Sequence, residues 1–363
     1  MHRGFPGSAG LFGGLTFVAC PLCVMPQAHA QMRRRETFVA GKRAKVIDVH
    51  AHCAVPEAMA LMGLKLGGPS LRPDLHMGSA LAERLDAMDA QGIDMQVLSI
   101  NPYWYKADRE LAEQIIRLQN EKLAEACAAT PERFLGFASV ALQHPDIAAR
   151  QLEEGMKQYG LRGAAIGGSV DGAELSDARF HPFWAKAEAL GALVFIHPQV
   201  AGATTDIARR LKGAGGLDNV IGFPLETTIA LSHLIFEGTL DRFPGLRICA
   251  AHGGGYLPSY AARSDRGCVA RPDLCAGGAG GPLKKKPTDY LRQLYFDTMV
   301  FSPEAVRHLA AEVGASQLML GTDYPFPWTT TAVDEVMATP GLSDAERVAI
   351  LGETAARLLG IAG

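Results

Sequence analysis

Apolar runs of five to seven residues recur along most of the chain, and each gives way to a stretch with apolar positions at helical spacing. The runs predict strands over Lys45–His50, Met95–Asn101, Phe134–Val140, Gly163–Gly167, Leu193–His197, Arg247–His252, Gln293–Asp297 and Gln317–Thr322. Short, near-continuous apolar runs suit parallel strands covered on both faces. The amphipathic stretches predict helices over Leu81–Gln91, Arg109–Ala129, Pro145–Gly160, Phe183–Leu190, Thr227–Arg242, Pro258–Arg266 and Pro303–Val313. A last helix, Ser343–Leu359, opens with Ser-Asp-Ala-Glu, a capping-box pattern. Eight strands alternating with eight helices predict an α/β fold, a closed (β/α)8 TIM barrel, with a doubly wound open sheet as the alternative. Two Gly/Pro-rich excursions, Met59–Gly78 and Arg271–Thr288, follow strands one and six on the side of the barrel mouth. The Lys284-Lys285-Lys286 run in the second reads as a solvated loop.

Composition changes this picture mainly at the N-terminus. Residues 1–30 combine a short basic start (His2, Arg3), an apolar run from Leu11 to Met25 and Ala28-His29-Ala30, and read as a signal peptide. The alternative is translation from Met32. The first reading implies a periplasmic or secreted protein, the second a cytoplasmic one. Residues 31–44 form a basic arm, with Arg33-Arg34-Arg35 solvated, and 45–363 a single catalytic domain. No other run reaches the length of a membrane span. The formal net charge of −3 over 363 residues argues against a nucleic-acid partner. Of seven cysteines, five lie beyond the leader, too few and too irregular for a disulfide framework. Cys268 and Cys275 could pair in an exported protein.

The candidate chemistry lies where the strands end. In a barrel of this type active residues sit at the C-terminal ends of strands. The first strand runs into His50 and His52, whose i, i+2 spacing puts both imidazoles on one side. The fifth ends at His197, the sixth at His252 and the eighth at Asp323. That set predicts one divalent ion, Zn2+ first with Mn2+ or Co2+ as alternatives, held by His50, His52, His197 and Asp323. The fourth strand ends in Ala-Ala-Ile-Gly-Gly without a lysine that could bridge a second ion. His252, followed by three glycines, suits a general base beside an ion-activated water. Arg263 is a candidate for a substrate carboxylate. Glu226, at the start of a helix, reads as structural, and Asp48 points away from the histidines by strand parity.

The segments V-I-D-V-H-A-H, V-F-I-H-P, P-L-E-T-T-I-A, A-H-G-G-G-Y-L-P, R-P-D-L-C-A and G-T-D-Y-P-F-P resemble the amidohydrolase-related decarboxylases, nearest to the aminocarboxymuconate-semialdehyde decarboxylases. The resemblance covers Lys45 to the C-terminus. It implies a zinc enzyme that releases CO2 from a small aromatic or muconate-type carboxylate without oxidation. It also implies the four ligands named above, His252 as base and a homodimer in which Arg263 reaches the neighbouring subunit's site. The chain departs from the family where a substrate-clamping arginine is expected: Gly63–Arg72 is shorter and Gly-rich, and Arg72 does not align. After His197 it reads Pro198-Gln199-Val200-Ala201-Gly202, without the family's nearby tryptophan and methionine. A hydrolase or hydratase on the same site is the runner-up, and a non-catalytic binding protein the third reading.

Overall fold

The computed structural model describes residues 34–67, 75–78, 80–199, 209–277 and 281–361. The expected signal peptide, residues 1–30, and Arg72 lie outside them.

Eight parallel strands form the centre: β1 Ile47–His52, β2 Met95–Ser99, β3 Phe134–Gly136, β4 Gly163–Gly167, β5 Leu193–His197, β6 Arg247–Ala250, β7 Leu294–Asp297 and β8 Leu318–Met319. β1 to β3 pair in order, as do β4 to β8. Single parallel bridges join the two groups, Ala138 to Ala164 on one side and Ala51 to Tyr324 on the other. Val49 N donates to Leu320 O (2.9 Å) across the second seam. The ring is a closed (β/α)8 barrel. Its strands run apolar because both faces are covered: Ile47, Val49, Val97, Phe137, Phe195, Cys249 and Met319 form one cluster, and Val46, Leu98, Ile166, Val194, Ile196 and Ile248 face the helices.

The outer layer comprises α1 Leu81–Gln91, α2 Arg109–Ala129, α3 Pro145–Lys157, α4 His181–Leu190, α5 Gly222–Phe236, α6 Leu257–Ala270, α7 Pro303–Val313 and the closing run α8, Asp344–Leu359, which contains a π turn over Ala349–Glu353. Ser343 and Glu346 close the capping box read from sequence. α1, α2 and α7 match their predicted bounds. The helix predicted over Thr227–Arg242 starts earlier and breaks at Gly238 (φ +80°) into α5 and a turn, Thr239–Arg242.

Several expectations change. The arm is not free: Arg34 pairs with Asp94 and Arg35 with Asp334, and Thr37–Val39 with Lys42–Ala44 makes an antiparallel hairpin. Lys284, Lys285 and Lys286 are exposed as read, with Lys284 Nζ donating to Asp241 O and Lys285 Nζ to Gln293 Oε1 at the surface. The helical stretch Leu217–Phe236 is long and apolar enough to cross a membrane by composition. Its Thr227, Ala230, Leu231, Leu234 and Ile235 are instead buried in the domain. Cys268 and Cys275 are joined as a disulfide at the end of α6.

Candidate metal centre

β1 delivers its two histidines as strand parity requires. Both lie inside the strand, extending two residues past its predicted end, and both are buried. His197 closes β5 and is 4% exposed. Asp323 follows β8 in a left-handed conformation (φ +59°), and its N donates to His50 O (2.8 Å). One ligand atom from each of His50, His52, His197 and Asp323 can be chosen so that all four lie within 4.8 Å of one another. Tetrahedral ligands at about 2.1 Å from an ion stand roughly 3.4 Å apart, so this spread suits one ion.

The hydrogen bonds behind these side chains fix which atoms face the centre. His50 Nδ1 donates to Asp297 Oδ2 (2.6 Å), leaving Nε2 to point inward. His197 Nδ1 donates to Pro198 O (2.9 Å), with the same result. His50 Nε2 and His52 Nε2 approach to 3.0 Å. Asp323 Oδ1 stands 2.8 Å from His52 Nε2 and 3.2 Å from His50 Nε2, yet this buried oxygen makes no acceptable hydrogen bond among the described residues. A buried carboxylate oxygen left without a hydrogen bond between two imidazole nitrogens is what a cation resolves. The electrostatics agree. Burial alone would depress His50, but Asp323 and Asp297 outweigh it and push the imidazolium up to about 10. Burial would raise Asp323, but the histidines around it hold it well below the usual carboxylate range.

His252 lies outside this set. It sits past β6 in a 3-10 turn with φ +55°, and its Nε2 is 3.8 Å from Asp323 Oδ2. Its ring stands 5.2 Å from both His50 and His197. The glycines that follow make the turn possible: a Cβ on Gly253 (φ +62°) would lie 2.6 Å from Val300 Cγ1, and one on Gly255 would collide with Pro224 O.

Three polar residues that strand-end reading left unassigned support the centre. Asp297, wholly buried at the end of β7, accepts from His50 through Oδ2, and from Gly253 N (2.8 Å) and Met299 N (3.1 Å) through Oδ1. It thus ties a ligand to the turn carrying His252. Asp48 does point away from the ligands, and there it accepts from His50 N, Gln96 Nε2, Thr322 N and Thr322 Oγ1. Burial pushes its carboxyl up to about 6 against those bonds. Arg84, on α1 and 1% exposed, donates to Gln96 Oε1 (3.0 Å) and His52 O (2.6 Å) beneath the ring of Tyr324. Strand-end position could have found Asp297; nothing local marks Arg84.

Glu226 is structural in its contacts: it accepts from Gln199 N (2.6 Å) and Ser169 Oγ (3.4 Å), and burial pushes it up to about 7. Arg263 is exposed on α6.

The amidohydrolase family model matches residues 47–361. The chain belongs to the amidohydrolase family. This amidohydrolase is 32% identical over 283 residues to a 2-amino-3-carboxymuconate-6-semialdehyde decarboxylase of Dictyostelium discoideum, covering 77% of this chain and 76% of that protein. It is 31% identical over 330 residues to a gamma-resorcylate decarboxylase of Rhizobium radiobacter, covering 86% and 97%. Among solved structures it resembles the dihydroxybenzoic acid decarboxylase of a Polaromonas species with bound manganese and 2-nitroresorcinol (TM-score 0.74, 30% identity, 87% of this chain and 97% of that one). The 5-carboxyvanillate decarboxylase of Sphingomonas paucimobilis gives a TM-score of 0.78 at 27% identity, covering 88% and 100%.

Proposed function

We propose that this amidohydrolase is a metal-dependent, non-oxidative decarboxylase of an aromatic or muconate-type carboxylic acid. The observation that carries the reading is the convergence of His50, His52, His197 and Asp323 around a buried, unbonded carboxylate oxygen, in a chain whose 31–32% identical relatives are decarboxylases. A divalent ion at these residues would supply Lewis acidity to a substrate oxygen. Zinc suits the donor set, and a relative carrying manganese makes that ion the alternative.

The chain's own groups do the rest. Breaking the bond to the carboxylate leaves its electron pair on carbon, and that carbon must take a proton as CO2 departs. His252 is the acid–base group in reach: Nε2 faces Asp323 Oδ2, so the carboxylate can stabilise the imidazolium while the ring exchanges a proton with the reacting group. Asp297 orients His50 and anchors Gly253, holding ligand and base in one frame. Burial of the ligands excludes water and strengthens these interactions.

Arg263 fits a substrate-carboxylate contact made across a homodimer. It lies on the exposed side of α6, where Tyr260 and Val269 are also exposed (65% and 69%). Export through residues 1–30 is supported by the Cys268–Cys275 pairing, since such bonds persist in oxidising compartments. N-terminal sequencing of the mature protein tests it, with Gln31 or Met32 as the first residue separating export from internal initiation.

The functional test is metal analysis of the purified protein with a CO2-release screen over hydroxybenzoates and muconate-type acids. One divalent ion per chain and CO2 lost on chelation are expected. A metal-free active protein refutes the reading; a product retaining every carbon converts it to a hydratase or hydrolase.

A further inference from the structure

The excursion after β1 builds an apolar cluster of its own. Ala54, Met59 and Leu75 pack together, separate from the clusters inside and around the barrel. Ala54 N donates to Leu75 O (2.9 Å), which fastens the two ends of the excursion to each other. Against this cluster lies a cavity of about 60 Å³, bounded among others by His52, Met59, Leu75, Ile100 and Phe326. His52 belongs to both places. Its Nε2 faces the ligand cluster, and the Phe326 ring meets its ring edge-on at 5.5 Å. The cavity therefore starts where the ligand set ends.

Size and chemistry restrict what can enter. A cavity that holds benzene measures about 150 Å³ and a single water needs about 10–15 Å³, so this one takes a small substituent but not a ring. No lysine, arginine, aspartate or glutamate lines it among the described residues. Among the described residues a charged substituent would lose its hydration there without gaining a charged partner.

We propose that this cavity is a side pocket for an uncharged, apolar substituent of about two to four heavy atoms on the substrate, such as methoxy or ethyl, and that Met59, Leu75 and Ile100 set which substituted acids are accepted. The proposal rests on the decarboxylase reading. His52 is shared by the ligand cluster and the cavity lining, so a group elsewhere on the ring of a substrate held at the ligands would meet the cavity beside His52.

Two parallel measurements on the full, manganese-loaded chain separate the proposal from that reading. In the first, calorimetry gives Kd for 2-nitrophenols, which cannot lose CO2, bearing hydrogen, methyl, ethyl or methoxy at each open ring position. At one position methyl should bind about fourfold tighter than hydrogen and ethyl about fifteenfold, from the burial of one and two carbons. Ile100→Phe fills the cavity and should bring those ratios to about one. Met59→Ala enlarges it, should move the optimum to propyl, and keeps the test decisive if the first variant does not fold. Equal binding across every series, or a preference unchanged in both variants, overturns the pocket. In the second, CO2 release is followed with the matching salicylates. No CO2 from any acid, with the binding ratios as expected, overturns the decarboxylase reading while the pocket stands; CO2 release without a substituent preference overturns the pocket alone.

Discussion

Asp297→Asn is the sharpest probe of the centre because it changes one atom and no volume. The asparagine oxygen can still accept from Gly253 N and Met299 N, so the turn under His252 keeps its anchor. The other position becomes an NH2 facing His50 Nδ1, now at 2.6 Å from a carboxylate oxygen. Two donors cannot share that contact. The imidazole proton must move to Nε2, the atom that faces the ligand cluster, or the ring must turn. Loss of such a carboxylate behind a metal-binding histidine typically weakens the ion about 10- to 100-fold. By linkage, a hundredfold loss removes about 2.7 kcal/mol of the stabilisation that saturating metal gives the folded chain. The assay is a competition titration with a fluorescent zinc chelator, paired with melting curves with and without metal. The variant should bind the ion at least tenfold more weakly and show a smaller metal-induced rise in Tm. Affinity within threefold of the wild type refutes the claim that Asp297 fixes the His50 tautomer.

Three further outcomes follow from the same geometry. His252→Gln should keep the metal, because His252 is not among the four ligands, while CO2 release falls about 10²- to 10⁴-fold; loss of the ion on dialysis would place His252 in the ligand set instead. Arg84→Met strips the donors from His52 O and Gln96 Oε1 inside the domain and should cost about 1–3 kcal/mol for each stranded acceptor in urea unfolding, with Arg84→Lys recovering part. A cost under about 1 kcal/mol would show that the network is slack. Glu226 has a folded pKa of about 7 against an ordinary 4.5, so the folded chain keeps a proton the unfolded chain has lost. Stability should therefore fall by about 3 kcal/mol as pH rises from 4.5 to 7 and stay reduced above that. Glu226→Gln should flatten Tm against pH between 5 and 8, and an unaltered slope would contradict the assignment.

The barrel was legible because buried parallel strands have no polar face to maintain. β4 and β5 begin and end where the apolar runs do. β3 and β8 are far shorter than their runs, since Phe137–Val140 and Leu320–Thr322 stay buried without keeping the regular ladder. The ligands were legible for a related reason: a histidine or aspartate ending an apolar run is a polar group at the one rim where a barrel can use it. Asp297 satisfies the same criterion, as the last residue of its strand, but its side chain serves His50 and the His252 turn rather than the ligand cluster. The Asp48–Gln96–Arg84 network could not be read at all. Its bonds join residues 12, 48 and 274 positions apart, and each member alone is an ordinary polar residue. Arg34 departs in the opposite sense, since a run of like charges looks solvated until a buried acidic partner, Asp94, folds beside it, whereas Arg35 pairs with Asp334 at the exposed surface.

The seam between β1 and β8 has a consequence for biosynthesis. His50 and Asp323 sit on either side of it, so the complete ligand set first exists when the earliest and latest strands meet. Such long-range closure comes late, after the local βα units have formed. A nascent chain still short of Asp323, or a product clipped before it, lacks one ligand and the seam that holds two others. Occupancy by the ion would thus report that synthesis has passed Asp323 and that the first and last strands have met.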